Sequence, residues 1–303
     1  MRLTSKGARQ APALRRWLYR ALWAVVFVAV GILVWRRLIG IEIHLRDMEA
    51  YWRAALRLQD GLPLYDSGGR LDGEDIYRHA PWFAIAWIPL TQLPKDLVGA
   101  VWVGILAIAT VASLVPLIRT RTAFGYALAA LFASFLAWQT AYGNTHPLII
   151  ASLVYGVRGR GGPLWIALAA SLKGVPILYA MYYAARGEWR RFWMTVGLTA
   201  VLVAPMLLFD LSDYPFQPGN RPSLLYLGIP VYVAAVVAAA AVAWLVMRRN
   251  PPSALFVNSW AVVVAVPRIL VYDLTYLLVG AAAAVQSTRS PNRRVESSTQ
   301  ALP

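Results

Sequence analysis

The stretch TAFGYALAALFASFLAWQTAYGNTHPLIIASLVYGV, residues 122–157, decides the fold class, because it holds no Asp, Glu, Lys or Arg. About 20 apolar residues cross a bilayer core, so this run is too long for one crossing. It breaks at Tyr142-Gly143-Asn144-Thr145-His146-Pro147, where turn-forming residues cluster. The reading is an outward and an inward arm. Working outward, the segments 97–118, 192–209 and 222–247 are also free of charge. Of the 303 residues, 59% are hydrophobic and 14% charged, against about a quarter charged in a soluble domain. Disorder and an ordinary soluble fold are excluded, and the absence of cysteine excludes a disulfide framework. The expected class is an all-α polytopic membrane protein with about 8–10 membrane segments, some of them broken or re-entrant.

A net charge of +15 raises the question of nucleic acid, and the placement of the charge answers it. Arg2, Lys6, Arg9, Arg15, Arg16 and Arg20 precede the charge-free run 21–35. No small-residue cleavage site follows, so an uncleaved first span is expected, with the N-terminus cytoplasmic. Residues 38–96 then face outside, with nine acidic and six basic residues. Segment 163–185 decides the remaining topology. As a single crossing it would put Arg186, Arg190 and Arg191 outside and invert everything after it. Two arms, 163–172 and 177–185, meeting at Lys173-Gly174-Val175-Pro176, keep basic residues inside. Arms of about 10 residues rise only about 15 Å, so this is a re-entrant hairpin. Segments 192–209 and 222–247 cross out and in, and 253–285 goes out and back with its apex at Pro267-Arg268. The cytoplasmic side then carries 18 basic and two acidic residues, and the rest is almost neutral. The basicity is a topology signal, and no nucleic-acid partner is expected.

The domain layout follows. Residues 1–14 form a cytoplasmic tail, 15–285 a single membrane domain with 38–96 as its outer loop, and 286–303 a polar, disordered cytoplasmic tail. Within the outer loop, Asp47, Tyr51, Ala54 and Leu58 recur on one helical face. Gly61 suits the end of that helix. The run 79–94, interrupted by Pro81, Pro89 and Pro94, is too short to span, and Trp82, Phe83 and Trp87 suit headgroup depth. Two roles stand open for Asp47: a helix N-cap, or a carboxylate at the outer lipid–water boundary.

The ordered series Asp47-x-x-x-Tyr51-Trp52-x-Ala54-Ala55-x-x-Leu58-x-x-Gly61-x-x-Leu64-Tyr65, then Tyr77-x-x-Ala80-Pro81-x-Phe83, Pro89-Leu90 and Leu93-Pro94, resembles the first-loop signature of glycosyltransferase family 87. Gly143-Asn144-Thr145-His146-Pro147-Leu148 is similar to that family's Gly-Gln-x-Asn-Pro-Leu, with Asn144 and His146 as departures. Ser171-Leu172-Lys173-Gly174-Val175-Pro176, Arg186-x-x-Trp189-Arg190 and Pro267-Arg268 with Tyr272-Asp273 resemble its later blocks. The resemblance implies a GT-C-type membrane enzyme. It would pass a sugar, mannose in the best-known members, with inversion from a polyprenyl-phosphate donor to a lipid-linked glycan acceptor outside the cell membrane.

Such chemistry needs one carboxylate to take the acceptor proton and cationic groups to stabilise the departing phosphate. The resemblance makes Asp47 the base. Lys173, Arg268 and His146 are candidates for donor phosphate, and Tyr51, Tyr77, Trp82 and Asn144 for substrate. Each has a structural alternative. Lys173 would pair with Asp210, Asp213 or Asp273, Arg268 would be neutralised by Asp273, His146 would brace a turn, and the aromatic residues would anchor the loop. The chain has no Asp-x-Asp, no Gly-rich phosphate loop and no metal-ligand spacing, so neither metal nor cofactor is expected. The rivals are arabinofuranose as the sugar, a lipid or polyprenyl-glycan transporter built on broken helices, and a non-catalytic glycolipid-binding accessory protein.

Overall fold

The computed structural model describes residues 28, 31–32, 41–66, 76–214, 224–250, 253–267 and 269–288. The bulk of the first span, Arg36, Arg37, Arg268, the polar turn 67–75, the N-terminal tail and the residues after Thr288 lie outside them. The described residues are helical, without a strand. In chain order the helices are α1 (Arg46–Gln59), α2 (Pro81–Trp87), α3 (Lys95–Ile118), α4 (Ala123–Ala141), α5 (His146–Gly156), α6 (Gly162–Lys173), α7 (Ala180–Ala185), α8 (Trp189–Val203), α9 (Ile229–Arg249), α10 (Ala254–Val264) and α11 (Tyr276–Thr288). Among the described residues, four helices are long and apolar enough to cross a membrane: α3, α4, α8 with its extension to Leu208, and α9. The shorter segments 146–156, 175–185, 254–264 and 271–285 pack between them. The last helix runs to Thr288, slightly past the expected start of the tail.

The run 122–157 divides as its turn residues dictate. Helix α4 is capped by Thr122, whose hydroxyl accepts from Gly125 N, and it ends at Tyr142. Gly143 then takes a φ of 73°, and α5 begins at His146 with Pro147 in its first turn, where a proline lacks nothing the helix needs.

The segment 162–185 is a hairpin. Tyr183 donates its hydroxyl to Val157 O at 2.6 Å, and Arg191 donates to Gly159 O. The two ends of the segment therefore lie together. At the other end, Gly174 (φ 72°) turns the chain between α6 and a 3-10 turn at Val175–Tyr179. The apex meets the outer loop, since Ala80 N donates to Ser171 O and Trp82 Nε1 donates to Ser171 Oγ at 3.1 Å. Twelve helical residues rise about 18 Å, too little to cross. Such a break is tolerated because its backbone groups are met inside protein.

The outer loop folds into a small core of its own. Met48, Tyr51, Trp52 and Ala55 of α1 close on Phe83, Trp87 and Trp102. Tyr51–Phe83 and Trp87–Trp102 meet edge to face at 5.0 and 5.1 Å, each worth about 0.5–1.5 kcal/mol beyond area burial. Phe83 and Trp87 are thus buried in protein, and only Trp82 of the expected trio stays half-exposed. The apolar face of the loop is buried against Val98, Trp102 and Leu106 of α3.

The turn 141–146 supports the start of α1. His44 N and Leu45 N donate to Ala141 O, and Asp47 N donates to Tyr142 O at 3.0 Å. A Cβ on Gly143 would sit 2.9 Å from Met48 Cβ and 3.2 Å from Met48 N. Gly143→Ala is expected to cost about 1–3 kcal/mol, from the strained φ together with the clash. Gly61→Ala shares the positive φ but meets nothing within 4 Å, so its loss should be smaller. Thermal unfolding in detergent checks this, and equal melting temperatures for the two variants would refute the close approach.

Candidate active site

Helix α1 begins at Arg46, and its N-cap is Leu45, in a left-handed conformation with no side-chain cap. The capping role for Asp47 therefore drops out. Asp47 lies in the first helical turn, half-buried, where the helix dipole favours a negative charge. Asn144 Nδ2 donates to Asp47 Oδ2 at 2.6 Å. Glu49 faces elsewhere and is engaged by Arg53 at 2.8 Å and by Lys95. Burial raises its pKa, but the two ion pairs outweigh this and hold the carboxyl below its usual range. Glu49 is no substitute base.

Lys173 is the last residue of α6, at the hairpin apex, where a cation suits the helix C-terminus. Its side chain is 18% exposed, and its Nζ lies 3.8 Å from Asp273 Oδ1 and 4.3 Å from the centre of the Tyr272 ring. Of the three carboxylates named as structural partners, Asp273 is the one it meets. At 3.8 Å the pair is a charge attraction without a hydrogen bond, so the ammonium donors stay available to an anion. Asp273 Oδ2 accepts from Leu270 N at 2.8 Å, which fixes the carboxylate in place. Asp47 is near enough to act on Lys173 electrostatically. An outer-loop carboxylate and a hairpin lysine, 126 positions apart, thus share one end of the molecule.

The other expected site residues divide. His146 is fully buried, and its Nε2 faces Thr275 Oγ1 at 2.7 Å. Thr275 gives its own proton to Tyr272 O, so His146 Nε2 is the donor and Nδ1 the acceptor. His146 thus braces α5 against the 3-10 turn Val271–Thr275, the structural alternative named for it, and its Nδ1 has no hydrogen-bond partner among the described residues. Tyr51 and Tyr77 are 2% and 5% exposed. The Tyr51 hydroxyl accepts from Thr145 N, and that of Tyr77 donates to Ala80 O and accepts from Ala84 N. Both are walls, not substrate contacts. Trp82 is half-buried beside the hairpin apex, where its Nε1 donates to Ser171 Oγ. Arg268 lies outside the described residues.

Sequence reasoning missed two members. Thr275 carried no pattern at all. His79 sat unmarked between Tyr77 and Ala80, yet its ring meets Phe83 edge to face in the outer-loop core and its Nδ1 donates to Leu172 O at 2.7 Å, bonding loop to hairpin. Burial, together with the charges of Lys173 and Arg78, lowers its pKa from 6.5 to about 4. The unfolded chain takes up this proton first. Stability from His79 is therefore complete above pH 6.5 and falls as pH drops toward about 4, by about 3 kcal/mol when fully titrated. His79→Gln keeps a donor for Leu172 O and should flatten the loss of melting temperature between pH 7 and 5. An unchanged slope would contradict a neutral buried ring.

Residues 77–216 match glycosyltransferase family 87. The resemblance read from the sequence is thereby shown over that stretch, which holds Tyr77, Trp82, Asn144, His146 and Lys173. The family 87 match implies a membrane glycosyltransferase. It begins after Asp47 and ends before Asp273, so these two join the matched residues through geometry alone: Asp47 through Asn144, and Asp273 through Lys173. No curated protein and no solved structure matches the chain.

Proposed function

We propose that the chain transfers a sugar, mannose first among the choices, from a polyprenyl-phosphate donor to a hydroxyl of a lipid-linked glycan, on the extracytoplasmic face of the cell membrane. The observation that carries this reading is that Asp47 lies within electrostatic reach of Lys173 at one end of a helical membrane fold whose residues 77–216 match family 87. Asp47 takes the acceptor proton as the oxygen attacks the anomeric carbon from the face opposite the phosphate. The bond from that carbon to the phosphate oxygen breaks, configuration inverts, and polyprenyl phosphate leaves with the electron pair. Lys173 stabilises the growing charge, turning from Asp273 toward the phosphate. Arg268, near Asp273 in sequence, is a second cation for the same group. Trp82 offers a ring to the sugar. The basic residues of segments 119–121, 158–160, 186–191 and 248–249 support termini and hairpin base on the cytoplasmic side. The active end then faces out.

Proteoliposomes holding the protein and polyprenyl-phosphate-[14C]mannose, with membrane lipid extract as acceptor, test this reading against transport. Label in a new glycolipid supports the enzyme. Label that changes leaflet without changing its chemical form would replace it with a transporter.

A further inference from the structure

We infer that Asn144 is the positioning residue of the site, aiming the Asp47 carboxylate rather than touching the sugar. The inference rests on Asp47 being the base. Its orientation is not a matter of amide assignment. Asn144 Oδ1 accepts from His146 N at 2.8 Å, and a backbone N–H can only donate. The oxygen is therefore turned to α5, and Nδ2 must face Asp47, which it meets at 2.6 Å.

Asn144 is itself fixed, since its backbone N donates to Gln139 O at 2.9 Å. The turn that carries it also receives Asp47 N on Tyr142 O, and Trp102 Nε1 on Gly143 O at 2.8 Å. Main chain and side chain of Asp47 are thus referred to one rigid corner, between the end of α4 and the start of α5. A donor on a carboxylate favours its charged form. Among the groups that act on Asp47 are Asn144 from the turn, Tyr51 from its own helix and Lys173 from the hairpin, with Asp273 beside the lysine. Asn144 holds one carboxylate oxygen by a directional bond.

The test compares Asp47→Asn, Asn144→Ala and Asn144→Asp in the sugar-transfer assay across pH. Asn144→Asp keeps size and an acceptor for His146 N, so folding is retained where the alanine variant falters. Asn144→Ala is expected to lower kcat roughly 10²-fold, as for a misplaced catalytic group, with KM little changed. In Asn144→Asp two carboxylates share one site and hold a proton between them. The acid limb of its pH–rate profile should move up by at least about one unit. A dead Asp47→Asn beside wild-type kcat and pH profile in both Asn144 variants would overturn the positioning role and leave the base in place. An active Asp47→Asn would overturn the base itself, and the two failures are distinct.

Discussion

Asp47→Asn is expected to remove sugar transfer, with kcat falling by about 10²–10⁴-fold, while the protein stays folded. The fold survives because the side chain is half-buried and does not cap the helix. An amide at the same place still meets Asn144 after a rotation, and the backbone bond from residue 47 to Tyr142 O is untouched. Activity is lost because an amide takes no proton from an attacking hydroxyl. Glu49 offers no rescue, held as it is by Arg53 and Lys95. The check is a transfer assay beside a melting curve. Unchanged turnover in a folded Asp47→Asn protein would remove the base from the account.

Lys173→Met is the second large effect. Turnover should fall by about 10²–10³-fold, the scale for losing one group that stabilises developing charge. This variant also costs stability, because Asp273, only 4% exposed in its side chain, loses the nearby charge of Lys173. Breaking such a pair from one side costs about 3–5 kcal/mol. The double variant Lys173→Met with Asp273→Asn separates the two effects. An asparagine oxygen still accepts from Leu270 N, the site becomes neutral, and stability should return while transfer does not. Transfer restored in the double variant would mean that Lys173 serves only to neutralise Asp273.

Much of the fold was legible because membrane proteins write their topology in charge. The hairpin at 162–185 followed from keeping Arg186, Arg190 and Arg191 on the side of Arg158 and Arg160. Its closed base, where Tyr183 and Arg191 reach back to Val157 and Gly159, agrees. The places of Asp47 and Lys173 in the fold were legible for related reasons, as a carboxylate on an amphipathic loop helix and a cation at a helix break. The rest depended on distances that no local pattern encodes. Burial of Tyr51, Tyr77 and His146 is set by how α1, α2 and α11 close on one another. An aromatic beside a turn reads the same in sequence whether it lines a cleft or a wall. Asn144 read as a sugar ligand because sequence gives its neighbours along the chain, and its partner Asp47 is 97 positions away.

The central claim is that this membrane fold transfers a sugar from polyprenyl phosphate. The most direct measurement gives purified wild-type protein two labelled donors in parallel, a polyprenyl-phosphate sugar and a nucleotide sugar, with the same lipid acceptor extract. The account predicts label in a glycolipid from the polyprenyl-phosphate donor alone. Transfer from the nucleotide sugar alone, or from neither donor, would contradict it.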